Sequence, residues 1–236
     1  MTLIAGTFRS KEAATGKVAW RTEIAEGVRW LWKHRLLRSM ALILGVMNAM
    51  FSMALATYVL FVQEILHLDA TRFGLLLTAG AIGGTIGSFV APRVSKTIGS
   101  GTSLFVALAG SGVTLAITGI TSSAAVVWAM FFVGSFLGVL WNVITVSLRQ
   151  SIIPDHLLGR VNSVYRFFAW GMIPIGAILG GVTVEITTNL ANRTLGLRMP
   201  FLIAAAVYVI LFVSALPRLN TRQIEQARAE AEPPTP

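Results

Sequence analysis

The chain has 236 residues, 55 % of them apolar and 12 % charged, with a mean hydropathy of +0.73. So apolar a composition excludes a soluble globular domain, and the absence of cysteine excludes disulfides and thiolate metal sites. The formal net charge of +9 fits either nucleic acid or an anionic membrane surface, and its placement along the chain decides between them.

Residues 1–38 form a basic leader without a membrane span. Its first eight residues are too short an apolar run for a signal sequence, and Arg9, Lys11, Lys17 and Arg21 interrupt it. Within residues 18–38, Trp20, Ile24, Val28 and Leu31 recur at helical spacing, with Arg21, Arg29, Lys33, Arg35 and Arg38 around them. This pattern predicts an amphipathic helix lying along the cytoplasmic interface or, alternatively, packed on protein as a linker.

Six apolar stretches follow, at residues 39–63, 73–91, 101–119, 124–148, 161–187 and 199–216. Each is long enough to cross about 30 Å of hydrocarbon as a helix rising about 1.5 Å per residue. Lipid offers no partner to the backbone, and the segments show no two-residue alternation, so the expected class is an all-α polytopic membrane protein. Residues 217–236 turn charged and end in Glu232, Pro233, Pro234, Thr235 and Pro236, which predicts a flexible tail beyond about Ala227.

Charge placement sets the topology. Fifteen Lys and Arg fall in the leader, the tail and the segments around Arg93 and Pro154, whereas the alternate loops hold three, Arg72, Arg193 and Arg198. The positive-inside rule puts both termini in the cytoplasm, as an even number of spans requires. The charge is read as topology and contact with the lipid bilayer, with no nucleic acid as partner.

Small residues punctuate the spans. Gly80 with Gly84 and Gly83 with Gly87 in the second, Gly134 with Gly138 in the fourth and Gly176 with Gly180 in the fifth are spaced for close helix packing. Pro174 removes a backbone donor in the fifth span and predicts a kink. The last span has no glycine and is predicted to face lipid.

Polar side chains are few. Asn48 and Ser52 share a face of the first span, and Trp141, Asn142, Thr145 and Arg149 cluster in the fourth. Arg166 and Trp170 open the fifth. Such groups should point into the bundle, as interhelical hydrogen bonds or as cavity lining, with snorkelling the alternative for Arg149 and Arg166. Glu185 is the only carboxylate in these six stretches. It is a candidate for proton coupling, or a solvated residue at the outer boundary. Asp155, after Pro154, reads as an N-cap, with Gly159 turning the chain into the fifth span and Arg160 anchoring that turn to phosphates or to a facing half.

Catalytic sets are missing from the sequence. His34, His67 and His156 are scattered, and neither an HExxH nor a P-loop pattern occurs, so no enzyme activity, metal or cofactor is expected.

Two segments carry a family signature: Glu23-Ile-Ala-Glu-Gly-Val-Arg-Trp-Leu-Trp-Lys-His-Arg-Leu-Leu-Arg38 leading into the first span, and Pro154-Asp-His-Leu-Leu-Gly-Arg-Val-Asn-Ser-Val-Tyr-Arg166 continuing to Pro174-Ile-Gly-Ala-Ile-Leu-Gly-Gly181. Together they resemble the C-terminal six-helix half of the major facilitator superfamily, in the branch of siderophore exporters and macrolide-type drug efflux proteins. The resemblance implies secondary active efflux of a small-molecule substrate across the plasma (inner) membrane. It also implies an inverted three-plus-three repeat, pairing residues 39–119 with 124–216. The first, second, fourth and fifth spans would surround a central cavity, with the third and sixth outside. The loop of residues 92–101 would stand at the family's cytoplasmic gate, where Arg93 is the candidate anchor. Lys96 and Ser100 depart from the gate pattern, so a gating salt bridge is not expected there. An N-terminal half is absent by this resemblance, which implies a piece of a longer transporter, one subunit of a split or homodimeric transporter, or a non-transporting scaffold or regulatory protein.

Overall fold

The computed structural model describes residues 20–217 together with Leu219 and Ile224. Seven helices run through them: α1 (Trp20–Lys33), α2 (Arg35–Glu64), α3 (Ala70–Ile98), α4 (Ser100–Ile120), α5 (Ala124–Ile152), α6 (Asp155–Leu190) and α7 (Arg193–Ala215). The last six are long and apolar enough to cross a membrane. Each apolar stretch of the sequence lies in one of them, apart from Leu216, which caps the end of α7, and every one of these helices extends beyond its stretch at one end or both.

Local chemistry sets the ends. His34 accepts a bond from the Leu37 amide at 3.4 Å and caps α2, so Arg35 and Arg38 belong to the first span rather than to the leader helix. Asp69 accepts from the Arg72 amide at 2.8 Å to start α3, and Asn192 from the Leu195 amide at 2.8 Å to start α7. Only Gly99, at φ 84°, separates α3 from α4. Residues 92–101 are therefore not the loop the sequence suggested. Pro92 lies inside α3, and the reversal needs just one residue in the left-handed region open to glycine.

The start of α6 also departs from expectation. Pro154, at φ −56° and ψ 141°, takes the cap position and makes no side-chain cap bond. Asp155 is the first helical residue, where its charge faces the positive end of the helix dipole. Gly159 does not turn the chain. It lies inside a continuous helix, because Leu157, Val161, Val164 and Tyr165 bury one side of that first stretch and carry it through. The helix also continues through Pro174.

Taken in chain order as two triplets, α2–α4 and α5–α7, the helices make matching contacts from one triplet to the other: α2 lies along α6 as α5 lies along α3, and α4 and α7 pack together behind. Glycines make the two crossings close. A β-carbon at Gly83 would overlap the Phe132 carbonyl, and one at Gly87 would sit 3.2 Å from the Phe136 carbonyl. Across the molecule, β-carbons at Gly176 and Gly180 would overlap the carbonyls of Ala49 and Met53. In lipid, where no hydrophobic force drives helices together, this close backbone approach is the main source of packing energy.

The last span, expected to face lipid, does so on one side only. Phe201, Ala204, Tyr208, Leu211 and Ala215 of α7 are buried, and only its other side, with Val209, Ile210 and Val213, is exposed. At the end where α6 passes into α7, Arg193 donates to Glu64 at 2.9 and 2.7 Å, tying α7 to α2. Arg198 reaches the carbonyls of Gly119 and Thr121 and the Ser122 hydroxyl at 2.8, 3.0 and 2.6 Å.

At the opposite end, α1 packs on α6, with Gly27 against the Arg160 carbonyl. Its stripe is split. Val28 and Leu31 turn inward, whereas Ile24 is 48 % exposed, because the contact runs along Gly27 and Leu31 instead of the whole predicted face. Leu219 and Ile224 are fully buried in the same apolar cluster as Leu31. The flexible tail expected beyond Ala227 lies outside the described residues.

Candidate functional site

α2 and α5 do not lie against each other; between them is a cavity of about 340 Å³, backed by α4 and α7 and flanked by α6. Its wall is largely aromatic and aliphatic. Phe51, Tyr58, Phe131, Trp141 and Trp170 contribute rings, and Met47 and Met130 add adaptable thioethers. Phe51 at 47 % and Trp170 at 59 % are exposed, so the cavity opens on that side.

Four of the residues that the sequence marked for a cavity line it: Asn48, Trp141, Asn142 and Trp170. Asn48 also bonds between helices. Its Nδ2 donates to the Ala169 carbonyl at 2.7 Å, beside Gly45, which admits the Phe168 backbone. The other three are elsewhere. Ser52 is buried away from the cavity wall, and Thr145 is fully buried with its hydroxyl donating to the Asn142 carbonyl of its own helix at 3.2 Å. Arg166 is exposed, its guanidinium 4.4 Å from the ring centre of Trp170, one turn along the same helix.

The back wall departs from the expected arrangement. α4 contributes Ser111, Thr114 and Thr118, α7 contributes Phe201 and Tyr208, and α3 contributes nothing. The gap between α2 and α5 is deep enough to reach the helices behind, whereas α3 is held against the far side of α5 by Gly83 and Gly87. Tyr58, Phe131 and Tyr208 were missed in the sequence. Two of them are hydroxyl-bearing aromatics inside spans, which is the signal that was available.

The glycines divide by environment. Gly83, Gly87, Gly176 and Gly180 make close helix contacts, Gly80 meets the Phe131 ring, Gly84 lies near Val139, and Gly134 lies near Thr114. Gly138 packs against nothing within 4 Å of a β-carbon and lines the cavity instead.

Below the cavity, Arg149 does not snorkel. It is 9 % exposed, its Nε donates to Asn162 Oδ1 at 3.1 Å, and its guanidinium lies 3.9 Å from the ring centre of Tyr165. The reason is the length of α5, which runs on to Ile152 and leaves Arg149 inside the helix, facing α6. Arg160 lies at the contact between α6 and α1. It pairs with Glu26 and, at 3.1 Å, with Glu23, both on α1. Arg93 is exposed and donates to the Phe89 carbonyl of its own helix at 3.2 Å. Glu185 is exposed, in a groove between α2 and α6 that Thr57, Asn189 and Arg193 also line.

Six apolar helices in two matched triplets around an aromatic cavity define a polytopic membrane protein built as an internal repeat. Residues 24–236 match the Major Facilitator Superfamily, and the chain belongs to that family. It is also similar to the multidrug efflux pump Tap of Mycolicibacterium fortuitum, 26 % identical over 205 residues that cover 84 % of this chain and 46 % of the pump. The chain thus spans about half the length of that relative.

Proposed function

We propose that this chain is one six-helix half of a secondary active transporter of the plasma membrane that exports small molecules, in the drug-efflux and siderophore-export branch of its superfamily. The observation that carries this reading is the cavity between α2 and α5: it is aromatic, it opens at Phe51 and Trp170, and no described helix of the chain closes that side. Alternating access needs two halves rocking about a shared midplane site, so the opposite wall comes from a second six-helix unit or a second copy of this chain. The likeness to a multidrug efflux pump supports the direction of transport.

The test is transport in an efflux-deficient host. The chain expressed with a six-helix partner half confers resistance and drives substrate out of vesicles, while the chain alone does neither unless crosslinking reveals a homodimer. Transport by the crosslink-free single chain would overturn the reading. The orientation proposed with it puts both termini in the cytoplasm. Single cysteines at Ser122 and Asn192 should then react with an impermeant thiol reagent in intact cells, and labelling at Ser95 or His156 instead would reverse it.

A further inference from the structure

Two residues in the cavity bury a polar atom that nothing satisfies. Trp141 is 1 % exposed and Tyr58 4 %, both line the cavity, and neither the indole Nε1 nor the phenol oxygen has a hydrogen-bond partner. Buried polar groups are rarely left unpaired, so an orphan in a cavity wall marks where another molecule completes the bond. Three other polar groups of the wall are committed within the protein. Thr114 and Thr118 donate to the carbonyls of Ser111 and Thr114, both at 2.8 Å, and the Asn48 amide is held by Ala169.

The two orphans are well separated. The Tyr58 ring stacks on Phe131 at 5.6 Å, which sets it level with that residue of α5. Trp141 lies ten residues further along the same helix, about 15 Å at the helical rise. An indole N–H only donates, so its partner must be an acceptor, whereas a phenol can serve in either sense. No Asp, Glu, Lys, Arg or His lines the cavity among the described residues. An ammonium group would bring a buried, uncompensated charge and present donors to a donor.

We propose, building on the transport reading above, that the cavity wall of this chain takes uncharged, elongated apolar molecules with a hydrogen-bond acceptor at the Trp141 end and a second polar group near Tyr58. Rings stack on the aromatic wall between these points, and the Met47 and Met130 side chains adjust to ring shape. Any cationic part of a substrate belongs outside this wall.

Radiolabelled progesterone, a rigid uncharged steroid with a carbonyl toward each end, is a suitable probe, with ethidium as the cationic comparison. Binding is measured at equilibrium on the full chain in lipid nanodiscs. Saturable progesterone binding is expected, weakened about five- to tenfold in Trp141→Phe and severalfold in Tyr58→Phe, as loss of single buried hydrogen bonds implies. Ethidium should not compete. Absence of saturable progesterone binding, unchanged affinity in both variants, or efficient displacement by ethidium would each overturn the proposal. If Trp141→Phe fails to fold, Tyr58→Phe, which removes a single oxygen, decides alone. The two readings fail separately. Tyr58-dependent binding without transport by the paired halves sinks the transport reading and leaves this one standing. Transport with unaltered steroid affinity in both variants sinks this one.

Discussion

The two long crossings, α3 on α5 and α6 on α2, use the same device in different surroundings. In each, two glycines four residues apart meet the carbonyls of two residues four apart on the facing helix: Gly83 and Gly87 against Phe132 and Phe136, Gly176 and Gly180 against Ala49 and Met53. Around the second crossing the protein adds more. Gly45 admits the Phe168 backbone, Asn48 bonds to the Ala169 carbonyl, and α1 clasps the early part of α6 through Arg160. The first crossing has no side-chain hydrogen bond between its helices among the described residues. Backbone proximity sets how tightly two helices approach, and directional bonds set the register at which they stop. The α2–α6 crossing has both, while α3 against α5 relies on shape alone.

Replacing a glycine by leucine at either crossing should have the largest effect. Gly83→Leu and Gly176→Leu both force the helices apart at a carbonyl contact, with losses of about 3 kcal/mol or more, beyond ordinary core overpacking. Neither should yield monodisperse protein in size-exclusion chromatography. A well-folded Gly83→Leu beside a collapsed Gly176→Leu would show that the first crossing can slide. Asn48→Ala comes next and touches only the keyed crossing. The expected loss is roughly 0.6–1.7 kcal/mol, the range for interhelical hydrogen bonds in lipid, read as a lower midpoint in thermal unfolding. An unchanged midpoint would leave the glycines as the sole determinant of both crossings.

Smaller again is Arg160→Ala. Its pairs with Glu23 and Glu26 are partly exposed, so the loss is about 1 kcal/mol or less and diminishes with salt. Hydrogen exchange should rise in α1 and leave α3 and α5 unchanged. Gly138→Ala should be the mildest, within about 0.5 kcal/mol, because a β-carbon there meets nothing within 4 Å. A large destabilisation would mean that the cavity wall is packed more tightly than its geometry allows.

The six spans were legible because lipid imposes a length and a composition that any residue order must obey. The glycine pairs were legible for a similar reason, since their spacing is a local property of one helix. What could not be read was the rotation of each helix about its own axis. Ser52, one turn from Asn48, and Thr145, near Asn142, share the expected face in projection, yet both are buried away from the cavity. Arg160 is a further case. Its partners lie 134 and 137 residues away, on a helix whose docking no local pattern announces. The loop expected at residues 92–101 is instead the end of α3 and the start of α4, since Pro92 lies within α3 and Gly99 alone makes the reversal.

Leu219 and Ile224 have a practical bearing on how the protein can be handled. Both lie past the end of α7, in what reads as tail, and both are wholly buried in the large apolar cluster that also holds Leu31 of the leader helix. A reporter or affinity tag fused straight after Leu216 therefore replaces two buried residues of that cluster with foreign sequence, whereas a fusion joined after Ile224 keeps both.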